Sequence, residues 1–497
     1  MRQRIGQLVS GLAIAAMLAG CGGAGSSSTS GGGATSGTPT ATPTSTATTG
    51  GCSLRERQDW AFAQLKEWYL FPETLPASLD PTPYSSVDTY IDALTATARS
   101  QRRDRFFTYL TSIKGEDAFY NSGSSAGFGV RLSADAAAGR VFIAEAFEGT
   151  PALNAGIDRG TEILAIGTTV NDLRPVSAII QSEGTAGVTN ALGPSTAGTT
   201  RVLRINDAAG GTRTVTVAKA DYELTPVSSR YGAKIITDGG KQFGYINLRT
   251  FINTADTPLR NAFANFRAAG ITNVVIDFRY NGGGLVSISE LIGDLLGGAR
   301  STSNVLDYTT FRPEKASENS TRFFRPQAQS IAPTKLAFIG TGGTASASEL
   351  TINAQIPYLG ANVGLIGTNT YGKPVGQIAL DKPACDDRLR VIAFKTENAN
   401  RQGDYYDGLA QPPFGGTAPV IQASCQAADD VSRPLGDPQE ASTRAALNFL
   451  QGISCTRIAS GEVGAQSVGG SAVGTARRDL LSPERPNTPQ REVPGSF

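Results

Sequence analysis

The 497-residue chain contains no histidine. That absence excludes every mechanism that turns on an imidazole: the Ser-His-Asp triad, the Cys-His pair and the usual catalytic zinc sites. Any general base must be Asp, Glu, Lys, Tyr or a terminus. A bias toward charge of one sign is also missing. There are 44 Lys+Arg against 43 Asp+Glu, and no run of about five or more like charges. Composition therefore gives no electrostatic case for a nucleic-acid partner. Beyond the first residues, no stretch reaches the roughly 18 apolar residues that a spanning helix needs. No Cys-x-x-Cys occurs, which argues against a zinc ribbon or a thioredoxin-type site.

What is present begins with a targeting segment, residues 1–20. Arg2 and Arg4 precede an apolar run from Leu8 to Leu18, too short to span a membrane and arranged as a signal peptide. The run ends Leu18-Ala19-Gly20-Cys21, which resembles a bacterial lipoprotein processing site. The resemblance implies cleavage before Cys21 and lipidation there. Gly22 after the cysteine resembles an outer-membrane address, so the expected location is the bacterial cell envelope, lipid-anchored and facing the periplasm. Residues 21–51 are almost all Gly, Ser, Thr, Ala and Pro, a flexible tether with a reach of roughly 30 Å. Residues 458–497 are again polar, Gly-rich and Pro-punctuated, and are expected to be disordered.

An even set of cysteines remains: Cys52, Cys385, Cys425 and Cys455. In an exported chain such a set suggests disulfides, although sequence alone does not choose the pairing. The preferred expectation is Cys385 with Cys425, and Cys52 with Cys455. The first closes a loop within one domain, and the second ties the start of the folded part to its end.

Three regions differ in periodicity. Residues 52–120 carry helical stripes, Ala61, Leu65, Trp68 and Tyr69, then Val87, Tyr90, Ile91 and Leu94. They predict a small helical N-terminal domain. Residues 121–222 contain short β-like runs, with a hairpin turn at Ala208-Ala-Gly-Gly211 and a short helix opened by Pro151. Residues 223–457 alternate strands and helices. Val274-Val-Ile-Asp-Phe278 reads as a strand buried on both faces, and Leu336-Ala-Phe-Ile339 and Val363-Gly-Leu-Ile366 follow, a β-turn-α-β pattern of α/β type.

The loop Ser125-Ala-Gly-Phe-Gly-Val130, with Glu148-Gly-Thr-Pro-Ala152 and Ile163-Leu-Ala-Ile166, resembles a PDZ domain. The resemblance implies a peptide groove at Gly127, Phe128, Gly129 and Val130, where backbone N–H groups meet a terminal carboxylate and a strand edge pairs with an extended peptide. Thr161 departs from the Asp usual in such domains.

Gly343-Thr-Ala-Ser-Ala-Ser-Glu-Leu350 lies where a buried strand turns into a helix. Ser346 would sit at the helix N-terminus, where free N–H groups and the positive dipole end suit a developing oxyanion. Ser346-Ala-Ser-Glu349 also fits a capping box, which needs no catalysis. The segment Gly367-Thr-Asn-Thr-Tyr-Gly-Lys-Pro-Val-Gly-Gln377 then offers Lys373. A desolvated, neutral lysine can take the proton of a serine hydroxyl, and without histidine a Ser–Lys pair is the natural solution.

These segments resemble the C-terminal processing peptidases, the tail-specific protease family. The resemblance implies Ser346 as nucleophile, Lys373 as general base and Gln377 as the residue that positions the lysine. It also matches Arg279-Tyr-Asn-Gly-Gly-Gly284, implying an oxyanion hole at Gly283 and Ala347. The fold implied is an α/β crotonase-like peptidase domain, ClpP/crotonase-type, with a PDZ-like domain and the helical N-terminal domain. The expected function is a serine endopeptidase acting on proteins or peptides with exposed C-termini, with no cofactor and no metal. Two alternatives remain open: a catalytically inactive PDZ scaffold, and a crotonase-type acyl-CoA enzyme.

Overall fold

The computed structural model describes residues 50–410, 421–459, 467–468 and 478–497. The signal segment and Cys21 lie outside them. Among the described residues, no helix is long and apolar enough to cross a membrane.

A six-stranded sheet organises residues 223–457. Its order is Ala233–Asp238, Lys241–Asn247, Asn273–Asp277, Lys335–Gly340, Val363–Gly367 and Ala423–Gln426. The first two strands form an antiparallel hairpin, and all later pairings are parallel. The apolar run Val274–Phe278 is central because the pleat sends alternate side chains to opposite faces. Val274 and Ile276 join one apolar cluster with helices Asp256–Ala268, Val286–Leu296 and Ala347–Leu359. Val275 joins a second cluster, with Ala337, Ile339 and helix Ala441–Gln451. Each buried Val, Leu, Ile or Phe side chain contributes about 1.5–3 kcal/mol, so a strand covered on both faces is fixed in register.

A second sheet runs through Val130–Asp135, Arg140–Ala146, Glu162–Gly167, Thr200–Asn206 and Thr212–Ala218, all paired antiparallel. The Ala208–Gly211 turn joins the last two. Chain entry and exit of this region form a separate two-stranded ribbon, Ser124–Gly127 against Ala220–Glu223. Buried ion pairs tie the region to the six-stranded sheet. Arg159 meets Asp429 at 2.8 Å, and Asp429 also meets Arg279, which is fully buried between Asp277 and Glu440. Burial disfavours the Asp429 charge, but Arg159 and Arg279 outweigh it and hold this carboxyl well below the usual range.

The helices Leu54–Trp68 and Val87–Leu94 form as their stripes predict, each opened by a serine cap, Ser53 and Ser86. They do not stand apart. Leu65, Tyr69, Ile91 and Leu94 pack on Val375, Leu389, Val391 and Ile392 of the hairpin Val375–Lys382 and Asp387–Glu397. The strand Tyr109–Ser112 pairs antiparallel with Asp387–Glu397.

Two expectations need correction. The disulfides are Cys52–Cys385, with Cα atoms 5.5 Å apart, and Cys425–Cys455, 5.4 Å apart. The first follows from packing of the N-terminal helix on the Val375–Glu397 hairpin, whose turn carries Cys385. The second joins the edge strand to the segment returning beside it, where the Gln426 N–H donates to the Thr456 carbonyl at 2.8 Å. Sequence distance carries no trace of either contact. The segment expected to be disordered, residues 458–497, is ordered over residues 478–497. There Arg478–Leu480 pairs with Val130–Asp135, and Thr488–Glu492 forms a short helix. Its apolar residues Leu480, Leu481, Val493 and Phe497 are buried, which is what holds an otherwise polar sequence in place.

Candidate active site

Three neighbouring parallel strands end at one edge of the six-stranded sheet, and each delivers one segment to it. Such crevices beyond the carboxyl ends of strands are where open α/β sheets bind ligands. Asn273–Asp277 leads to Tyr280-Asn-Gly-Gly-Gly284, Lys335–Gly340 to Ser346, and Val363–Gly367 to Lys373. Backbone bonds stitch the three together. The Ala345 N–H donates to the Asn281 carbonyl at 3.0 Å, and the Tyr371 N–H to the Thr344 carbonyl at 2.9 Å.

Ser346 precedes the helix Ala347–Leu359 with φ 55°, ψ −116°. A positive φ is unusual for serine and costs energy that the surrounding bonds must supply. Gly283 lies directly against it. A Cβ on Gly283 would come within 2.8 Å of the Ser346 Cβ and 3.0 Å of the Ala347 nitrogen, and its φ of 116° suits glycine alone.

Glu349 is the link that sequence reasoning read only as a helix cap. Its Oε2 accepts from the Ser346 N–H at 3.0 Å and from the Lys373 N–H at 2.8 Å, while Oε1 accepts from the Gly372 N–H at 2.7 Å. One carboxylate oxygen thus bridges the serine and lysine backbones. Burial pushes this carboxyl up, and the hydrogen bonds it accepts, including one from Thr370, pull it back.

Lys373 Nζ donates to Gln377 Oε1 at 2.9 Å, and Gln377 Nε2 donates to the Phe107 carbonyl. A register shift between Gly376 and Gln377 accompanies this arrangement. The Phe107 ring lies 5.1 Å from the Lys373 ammonium, so the N-terminal helical region forms one wall of the site. Arg105 fixes the lysine loop from the same side, donating to the carbonyls of Tyr371, at 2.9 Å, and Gly372. Desolvation lowers the Lys373 pKa, Glu492 opposes that shift, and Arg491 and Arg390 add to it. Among the described residues no hydrogen bond joins Ser346 Oγ to Lys373 Nζ.

The expected oxyanion donors are only partly free. The Gly283 N–H is committed to Asn281 Oδ1 at 2.9 Å, and the neighbouring Gly282 N–H to the Glu492 carbonyl at 2.9 Å. A cavity of about 520 Å³ opens here, bounded by Lys373, Gly282 and Ala345, by Arg99 and Phe107, and by residues 482–486, 490–492 and 494. Residues 494–497 continue to the predicted peptide groove. The Phe497 oxygen accepts from the N–H groups of Gly129 at 3.0 Å and Val130 at 3.3 Å, and the Phe497 N–H donates to the Val130 carbonyl at 2.9 Å. Phe128 and Val130 share an apolar cluster with the Phe497 ring, and a Cβ on Gly127 would come within 2.6 Å of the Phe497 carbonyl carbon. Among the described residues no group of His, Cys, Asp or Glu could hold a metal ion.

Residues 242–402, which carry the serine, the lysine and the Gly282–Gly284 turn, match Peptidase family S41. A candidate S41 protease from Bacteroides fragilis has a similar fold, with a TM-score of 0.59 over 80% of this chain and 97% of that one, at 22% identity. The matched region thus carries the S41 peptidase pattern on a similar fold. Over longer stretches the chain is similar to C-terminal processing peptidases. It is 25% identical over 374 residues to carboxyl-terminal-processing peptidase 3, chloroplastic, of Arabidopsis thaliana, covering 74% of this chain and 66% of that relative. It is 26% identical over 300 residues to the carboxyl-terminal-processing protease of Picosynechococcus, covering 59% of this chain and 66% of the relative. The chain spans about half to two thirds of the length of the curated relatives it matches.

Proposed function

We propose that the chain is a serine endopeptidase in which Ser346 is the nucleophile, Lys373 the general base and Gln377 the residue that orients the lysine. The observation that carries this reading is the Glu349 carboxylate, whose single oxygen holds both the Ser346 and the Lys373 backbone. A structural cap needs only the first of these bonds.

Neutral Lys373 takes the Ser346 hydroxyl proton as Oγ attacks the scissile carbonyl carbon. The carbonyl electrons move to oxygen. That oxyanion is stabilised by the Ala347 N–H at the helix N-terminus, joined by the Gly283 N–H once Asn281 releases it. On collapse the lysine ammonium protonates the leaving amine. Water then attacks the acyl-serine with Lys373 again as base, releasing the carboxylic acid and restoring Ser346. Desolvation of Lys373 supports the role, because only an unprotonated lysine accepts a proton.

The region of residues 121–222 acts in this reading as a PDZ-like module. Its loop at Gly127, Phe128, Gly129 and Val130 takes an extended C-terminal segment of a protein substrate along the Val130–Asp135 edge. Lipidation at Cys21 would hold the enzyme in the cell envelope, and Cys21→Ser should move it from the membrane fraction to the soluble one. A fluorophosphonate probe tests the chemistry. It should label the wild-type chain and not Ser346→Ala, and equal labelling of both would refute the assignment.

A further inference from the structure

Residues 478–497 do not merely pass near the cleft but follow the path an incoming chain would need. Leu481 leaves the sheet after its N–H donates to the Leu132 carbonyl at 3.0 Å. Residues 482–486 then line the same cavity as Lys373. The Glu492 carbonyl takes the Gly282 N–H, and the backbone there is so close that a Cβ on Gly282 would lie 2.2 Å from the Arg491 oxygen. The Glu492 side chain is buried, with Oε1 accepting from the Tyr120 hydroxyl at 3.1 Å. Beyond it the segment becomes an added strand. The Leu132 N–H donates to the Gly495 carbonyl at 2.8 Å, Arg131 pairs antiparallel with Ser496, and Phe497 seals the loop at Gly129 and Val130. Only 4% of Phe497 is exposed.

One side chain joins the two ends of this path. Arg131 is fully buried, and its Nη1 donates both to the Pro494 carbonyl at 2.8 Å and to the Tyr280 carbonyl at 2.5 Å. Tyr280 opens the turn that carries Gly282 and Gly283. One continuous segment thus lines the cavity and occupies the groove, held by main-chain bonds at Glu492, Gly495 and Phe497.

We propose that residues 482–497 are a built-in occupant of the substrate path, which an incoming polypeptide must displace from the Val130–Leu132 edge and the Gly282 N–H. This rests on the reading of the cleft as a peptidase site. The segment also displays what the groove takes: an extended stretch of Pro, Gly and Ser ending on one large apolar side chain buried at the Phe497 position. Docked, it places Glu492 on the same cavity as Lys373, so the occupant takes up space in front of the base.

The test compares three forms of the full chain: wild type, a deletion of residues 482–497, and Phe497→Asp. The probe is a fluorescein-labelled synthetic peptide of residues 483–497, read by anisotropy. The deleted chain should bind it at least tenfold more tightly than wild type, and Phe497→Asp should shift binding in the same direction. A probe that itself carries Phe497→Asp should bind at least tenfold more weakly. Hydrolysis of an unstructured protein should rise severalfold in both opened forms and vanish in each with Ser346→Ala. Equal probe binding by all three forms overturns the inference, even where Ser346-dependent hydrolysis persists and the peptidase reading stands. Tighter probe binding without hydrolysis in any form sustains the inference and sinks that reading instead. Should the deleted chain not fold, the Phe497→Asp chain decides alone, because its groove either opens to the probe or does not.

Discussion

The Lys373 main-chain N–H and the Ser346 main-chain N–H donate to the same oxygen of Glu349, at 2.8 and 3.0 Å. Two loops from different strands are thereby locked to one helix turn. Glu349→Gln keeps the shape but replaces one accepting oxygen with an amide that cannot serve buried N–H donors. The unmet donors should cost about 1–3 kcal/mol. Thermal unfolding checks the stability loss. A pH–rate profile separates positioning from mere destabilisation, because a displaced Lys373 should move its midpoint.

Ser346→Ala should abolish turnover and leave the fold standing. A helix cap contributes about 0.5–2 kcal/mol, so a purely structural serine would lower the melting temperature modestly and spare activity. Turnover of the alanine variant at wild-type rate, with unfolding shifted, would assign Ser346 to capping alone.

Lys373 supplies a pH test with a defined sign. Burial holds its pKa below the ordinary 10.5, against the opposing Glu492 charge. Only the neutral amine is a base, so activity should rise with pH through a midpoint below that value. Lys373→Arg should be as inactive as Lys373→Ala, since arginine keeps its proton at any workable pH. Stability carries the same signature. Between the depressed folded pKa and the ordinary one, the unfolded chain binds more protons, so stability rises with pH in that window. Lys373→Met should flatten this slope in denaturant titrations at stepped pH.

The disulfides should differ in weight. Cys52–Cys385 spans 333 residues of sequence and Cys425–Cys455 spans 30. On the chain-entropy account, the longer closure stabilises by about 2 kcal/mol more. The double variant Cys52→Ser/Cys385→Ser should therefore unfold at a lower denaturant concentration than Cys425→Ser/Cys455→Ser. The reverse order would place the dominant effect in native-state packing.

Much of this architecture could be read from local pattern. The buried run Val274–Phe278, the stripes of Leu54–Trp68 and Val87–Leu94, and the Pro-opened helix Pro151–Asn154 each announce themselves through period or punctuation. The helix Val176–Leu192 did not, because Gly184 interrupts it with φ 67° and breaks the apolar rhythm. The missing histidine pointed to Ser346 and Lys373, and the family resemblance added Gln377; the structure places the Lys373 ammonium on the Gln377 side-chain oxygen. Glu349 was visible only as half of a capping box, since its second partner arrives from a loop after another strand. The order of residues 478–497 was hidden for a related reason. A few apolar residues in a polar stretch look unable to fold, until a preformed groove supplies the burial they lack. Long-range contacts also chose the disulfides, and no sequence period encodes them.

The ribbon Ser124–Gly127 against Ala220–Glu223 brings both ends of the intervening region side by side. Its Cα partners run from Ser124 with Glu223 to Gly127 with Ala220. Everything between is therefore an insertion with a single stem, and the flanking chain could be rejoined across that stem by a short turn. If this region captures substrate as proposed, a homologous β module grafted at the same two strands, with the Arg131 and Arg159 contacts kept, should alter which polypeptides are captured and leave the proposed Ser346 chemistry in place.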